Sequence, residues 1–158
     1  MSNSEFIEKA IEISRTSIKE GAFPVGALIV MNGKVIASGI SDGKRLHDAT
    51  SHAEIAAIRA ASKQLGKRDL KDATMYSSLE PCLMCFAACY WAGFSKIVYA
   101  CGKERVSKQH YEGLHNLNEL NEKNNRKLII EHLAHFEQPA LEIIQKWESQ
   151  VHTAQMTK

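Results

Sequence analysis

The chain has 158 residues, 44% hydrophobic and 24% charged, a composition that fits a globular domain and excludes a disordered segment. Its 20 basic and 18 acidic side chains leave a formal charge of +2, which excludes a nucleic-acid binder working by bulk charge, though not one with a modest basic patch. No run of about 18 apolar residues is present to span a membrane. Met1-Ser2-Asn3-Ser4-Glu5 lacks the basic-then-apolar pattern of a signal peptide, so the expectation is one domain over residues 1–158, in the cytoplasm.

Phe6, Ile7, Ala10, Ile11 and Ile18 recur at helical spacing between Ser4 and Glu20, with Gly21 as a stop. Val25 to Met31 and Lys34 to Ile40 read as strands. Asn32-Gly33 between them suits a two-residue hairpin turn, in which both positions need positive φ. Thr50-Ser51 precedes a helix from His52 to Leu65; Ala73 to Leu79 reads as a strand, Cys82 to Gly93 as a helix and Lys96 to Cys101 as a strand. The polar stretch Asn116 to Lys127 fits a surface helix with a loop. Lys127 to Leu133 is a fifth strand, and Gln138 to Val151 a last helix. This order predicts an α/β chain, a three-layer α-β-α sandwich whose five-stranded mixed sheet opens with an antiparallel hairpin.

Two short segments carry the chemistry. In Pro81-Cys82-Leu83-Met84-Cys85, proline suits the first turn of a helix, where its missing N–H costs nothing. Two cysteines three apart then leave that turn in the same direction, near the positive end of the helix dipole, which favours thiolates. His52 precedes Cys82 by 30 positions and also stands at a helix start. One imidazole and two thiolates make three zinc ligands, and a three-ligand site keeps a position open for water. Zinc lowers the pKa of such a water to about 7. Glu54, two residues from His52, is near enough to shuttle protons without ligating. His-x-Glu followed by Pro-Cys-x-x-Cys is the documented signature of zinc deaminases.

Blander readings stand beside this one. Cys-x-x-Cys alone also serves as a cytosolic redox pair. A structural zinc site needs a fourth ligand, for which Cys89 and Cys101 are formal candidates. His47, His110, His115, His132, His135 and His152 have no comparable company and read as surface or packing residues.

From Phe6 to Ala100 the chain resembles the cytidine/deoxycytidylate-type zinc deaminase superfamily, in the branch of guanine deaminases, tRNA-specific adenosine deaminases and cytosine deaminases. The resemblance lies in Phe23-Pro24-Val25-Gly26-Ala27, in Thr50-Ser51-His52-Ala53-Glu54, and in the run from Met75 to Cys85. It implies a cytidine deaminase-like fold, a homodimer, and one zinc per subunit held by His52, Cys82 and Cys85, with Glu54 as catalytic proton shuttle. It also implies substrate contacts from the Ala53 N–H and from the position after the second strand. Relatives commonly carry Asn there; this chain has Ser41, followed by Asp42. Tyr90-Trp91-Ala92 resembles the guanine-deaminase side, with Trp91 as a stacking wall for a flat base or as core. Glu104 and Glu112 are candidates for acidic groups near the base. Gly102 to Lys108 is only a faint echo of the basic segment of the tRNA enzymes, and Lys146 stands among Glu142, Gln145 and Glu148.

The expected substrate is therefore a small aminated base. tRNA adenosine-to-inosine editing is the alternative, and a non-catalytic zinc-stabilised binding module the remoter one; no membrane partner is expected.

Overall fold

Ser2 caps the first helix, α1 (Asn3–Lys19): its hydroxyl accepts from the Glu5 N–H at 3.3 Å, and the Glu5 carboxylate accepts from the Ser2 N–H at 2.6 Å. The structure is a computed structural model describing the backbone of residues 1–156 and the side chains of residues 1–152. Phe6, Ile7, Ala10 and Ile11 form the buried face of α1. The hairpin of β1 (Gly26–Met31) and β2 (Lys34–Ile40) follows, turning on Asn32 at φ 50° and Gly33 at φ 72°. Both signs are those the dipeptide demands. A one-turn helix not expected from the sequence, α2 (Gly43–Leu46), comes next.

The remaining elements are α3 (Ala53–Leu65), β3 (Thr74–Leu79), α4 (Leu83–Trp91), β4 (Lys96–Cys101), α5 (Leu117–Lys123), β5 (Ile129–His132) and α6 (Glu137–Met156). The sheet order is β2-β1-β3-β4-β5. β1 runs antiparallel to both β2 and β3, while β3, β4 and β5 are mutually parallel. The sheet is mixed and five-stranded, as expected, with α1 and α6 packed together on one face and α3, with α4 beside it, on the other. No helix among the described residues is long and apolar enough to cross a membrane.

Several boundaries differ from the expectation by a residue or more, two of them for a visible local reason. The fourth helix is shorter than Cys82 to Gly93: Cys82 is extended (φ −69°, ψ 171°), so Pro81 stands before the cap and not in the first turn, and Gly93 (φ 86°) reverses the chain. The fifth strand begins at Ile129 because the Leu128 N–H and C=O are taken by the Asn121 side chain at 3.0 and 2.7 Å. The last helix extends beyond Val151 to Met156.

Two glycines set the layer spacing. A Cβ on Gly26 would stand 2.3 Å from the Ala10 carbonyl oxygen, so α1 lies directly on β1. A Cβ on Gly39 would stand 2.2 Å from the Ala53 oxygen and 2.5 Å from the Ala57 nitrogen. The first turn of α3 therefore rests on β2 with no room for a side chain between them.

Candidate active site

Two helix starts converge, one of them just after the C-terminal end of β3. His52 is the N-cap of α3 and Cys82 the N-cap of α4, both extended in backbone. Cys85 lies in the first turn of α4 and is fully buried. The Cys82 and Cys85 sulfurs stand 3.5 and 3.6 Å from His52 Nδ1. A tetrahedral zinc with Zn–S of about 2.3 Å and Zn–N of about 2.0–2.1 Å would separate sulfur from nitrogen by about 3.5–3.6 Å. The spacing and the donor chemistry therefore fit zinc held through Nδ1. Among the described residues this is the one such cluster; Cys89 and Cys101 are free, buried and outside it. Three donors fill three of zinc's four positions, the arrangement of a catalytic and not of a structural site.

The two thiols divide one proton unevenly. The hydrogen bond from Cys85, joined by His52, brings the Cys82 pKa down to about 4 against the effect of burial. The same hydrogen bond, with burial and the nearby Glu54, pushes the Cys85 pKa up. Bonding to Cys82 raises that of His52. A bound dication takes both sulfurs as thiolates.

Glu54, in the first turn of α3, is almost wholly buried. One carboxylate oxygen accepts from the Ser77 hydroxyl at 3.1 Å, and the other faces Cys85 Sγ at 3.5 Å. Burial raises its pKa, the direction that suits a group which must both take and give a proton near neutrality.

These residues open onto a cavity of about 200 Å³. That is smaller than the roughly 300–1,000 Å³ of pockets for drug-sized ligands and suits a one- or two-ring heterocycle. His52, Ala53, Glu54 and Cys82 line it at the metal side, with Ser41, Val25, Phe23 and Leu79 on its walls. Ala53 is the first residue of α3, where backbone N–H groups have no partner within the helix. Ser41 is thus at the cavity, whereas Asp42 is engaged with Arg45.

Trp91 is not part of the lining. It ends α4 79% exposed, its ring edge-on to Tyr90, and forms neither a cavity wall nor core in this chain. The two acidic candidates are outside the lining: Glu112 stands beside the metal cluster, where it accepts from the Leu83 N–H at 2.7 Å and its charge adds to the rise in the His52 pKa, and Glu104 lines a neighbouring cavity.

No pattern in the sequence marks the other wall. His110 and Tyr111, from the stretch after β4, complete the lining. The Tyr111 hydroxyl donates to the Glu80 carbonyl at 2.6 Å. Glu80 in turn pairs with the buried Lys103 at 3.1 Å, whose own N–H donates to the same carboxylate. Aromatic residues in a short irregular segment carry no periodicity, so only their long-range partners reveal them.

The family described as "Cytidine and deoxycytidylate deaminase zinc-binding region" matches residues 1–101. The guanine deaminase of Bacillus subtilis is 40% identical over 101 residues, which are 63% of this chain and 65% of that protein. A tRNA-specific adenosine deaminase of Agrobacterium fabrum is 40% identical over 96 residues, 61% of this chain and 63% of that one. The matches thus span somewhat less than two thirds of these relatives. A solved structure from studies of A-to-I editing by tRNA deaminases at the wobble position of transfer RNA superposes with a TM-score of 0.74 and 30% identity, covering 89% of this chain and 99% of the other.

Proposed function

Since the chain belongs to the cytidine and deoxycytidylate deaminase zinc-binding family, we propose that it is a hydrolytic deaminase releasing ammonia from a free aminated nucleobase of the guanine or cytosine type. The observation that carries this reading is Glu54: a buried carboxylate on the cavity side of a three-donor zinc set. Zinc, when bound, supplies a Lewis acid that brings the pKa of a water to about 7. Glu54 would take one proton from the attacking water as its oxygen bonds to the amine-bearing carbon, and deliver it to the adjacent ring nitrogen. It would then carry the remaining proton of that oxygen to the amine, which leaves as ammonia as the C–N bond breaks and the carbonyl forms. The Ala53 N–H and the Ser41 hydroxyl hold the base edge during these transfers.

The tRNA-editing relatives support a second reading, A-to-I editing of an anticodon. No lysine or arginine lines the cavity among the described residues, and phosphate contacts dominate nucleic-acid affinity, so the free base is preferred. A non-catalytic zinc module would have no use for Glu54 at this place.

Ammonia release from purines, pyrimidines, triazines and an anticodon stem-loop tests the choice. Glu54→Gln is expected to keep one zinc per chain by metal analysis and to lose turnover by about 10²–10⁴-fold, the usual worth of general acid–base catalysis. Undiminished turnover in that variant rejects the reading.

A homodimer and a cytoplasmic address belong to the same proposal. All four cysteines are free thiols, which suits a reducing compartment. Leu83, Met84, Ala87, Ala88 and Trp91 form one incompletely buried apolar side of α4, a surface of the kind that interfaces cover. Trp91→Glu is expected to shift the sedimentation coefficient from dimer to monomer; a monomeric wild type rejects this role for Trp91.

A further inference from the structure

The metal side of the cavity is furnished by α3 and α4, and one polar residue of the lining remains without a task. His110 reaches the wall from the stretch after β4, its side chain only 12% exposed. Its ring stacks on Phe23, also in the lining, with centroids 4.3 Å apart and planes 27° apart. Trp147 of α6 meets both rings at steep angles, 5.3 Å from Phe23 and 5.8 Å from His110. The imidazole is thus clamped between the cavity and the last helix.

Its orientation fixes its chemistry. His110 Nε2 lies 2.9 Å from a Glu148 carboxylate oxygen. A carboxylate only accepts, so Nε2 carries the hydrogen, and Nδ1 of the neutral ring is a bare acceptor. Among the described residues no protein group donates to Nδ1, and it is not a buried atom left without a partner. Phe23 and His110 therefore bring to the cavity wall a stacked pair of rings and, in the neutral imidazole, one nitrogen able to accept a hydrogen bond.

We propose that His110 is a specificity-determining residue which, at Nδ1, accepts the ring N–H of a free nucleobase at the position where a nucleoside carries its glycosidic bond. Resting on the deaminase reading, this names the substrate class within it. The N–H in question is at N9 of a purine or N1 of a pyrimidine. A nucleoside has no hydrogen there and brings a ribose instead, so it would leave the imidazole unpaired and crowd the Phe23–His110 wall. A site built to bond a substrate N–H rejects analogues lacking it far more strongly than a site that only measures size.

Two readouts test this on the zinc-loaded chain: ammonia release, and calorimetric binding in a Glu54→Gln background. The probes are guanine against 9-methylguanine, and cytosine against 1-methylcytosine. With His110 intact, the parent base is expected to be favoured by about tenfold or more in both readouts. His110→Phe, which keeps a ring on Phe23, is expected to bring each pair within about twofold, and His110→Gln, which keeps an acceptor, to restore part of the preference. A preference that survives His110→Phe, equal handling of each pair with His110 intact, or better turnover of guanosine, cytidine or an anticodon stem-loop overturns the proposal. Ammonia from none of these compounds rejects the deaminase reading, while the calorimetric comparison still decides what His110 recognises.

Discussion

Residues 1–101 and the chain that follows build one cavity by different means. In the first region the reactive groups are placed by short spacings: Glu54 within a turn of His52, Cys85 within a turn of Cys82, both at helix starts seated on the sheet. Backbone touching backbone at Gly39 holds the first of these starts. The later region contributes none of the metal donors. It closes the cavity through polar contacts between distant positions: Tyr111 to Glu80, Lys103 to Glu80, His110 to Glu148, and Glu112 to the Leu83 N–H. The metal donors and Glu54 thus lie on helix ends, with Phe23, Ser41 and Ala53 of the same region on the cavity wall, while the later segment adds His110 and Tyr111 from an irregular stretch that can vary without disturbing them. The family match ends at residue 101, where that later segment starts.

Breaking the later region first gives the largest effect on stability. Lys103 and Glu80 are both nearly inaccessible, and removing one member of a buried ion pair costs about 3–5 kcal/mol. Lys103→Met is therefore expected to lower the melting temperature by roughly 6–20 °C for a chain of this size. The double variant with Glu80→Gln is expected to recover much of that loss, because the uncompensated carboxylate is gone. Metal analysis sharpens the contrast: zinc content in Lys103→Met should stay at the wild-type level. Zinc lost in proportion to stability would mean that the two regions are not separable.

The opposite break is Gly39→Ala. The added methyl group meets the backbone of α3 and not a movable side chain, and overpacking of this kind costs about 1–3 kcal/mol. The fall in melting temperature is expected to be smaller, roughly 2–12 °C. Yet the displaced turn carries His52 and Glu54, so zinc affinity in a chelator competition should weaken along with turnover. An unchanged zinc affinity would show that α3 is not seated by this contact.

The same division decides what could be read from the sequence. His52, Glu54, Cys82 and Cys85 were legible because each pair lies within one helical turn, where spacing alone fixes direction. The hairpin was legible because Asn32-Gly33 encodes its own backbone angles. His110, classed with the surface or packing histidines, does pack, but its place in the cavity lining was not legible: it is set by Phe23, 87 positions earlier, and Glu148, 38 positions later. Trp91 misled in the other direction, since an aromatic residue beside a metal-binding helix suits a cavity wall by type, but its position at the end of α4 faces it outward. The start of β5 escaped for a similar reason, because Asn121 claims the backbone of Leu128 from seven positions away.

The smallest effect tests the seam itself. Lys96 of β4, in the first region, pairs with Glu131 of β5, in the second, and Asn3 also donates to that carboxylate. The hydrogen bond and charge of Lys96 lower the Glu131 pKa below its usual 4.5. A carboxylate depressed in the folded state stabilises fully above its unfolded pKa and loses that contribution as the pH falls through the folded value. The pair is partly exposed, so its worth is below about 1 kcal/mol. Lys96→Met is accordingly expected to melt a few degrees below the wild type at pH 7, with the gap closing as both are acidified toward pH 3. Because zinc ligands protonate alike in both proteins, the difference between the two curves isolates the seam. A gap that is constant with pH would assign the loss to the packing of the lysine's methylenes against the sheet, leaving the two regions joined by their backbone ladder and apolar contacts without help from this charge.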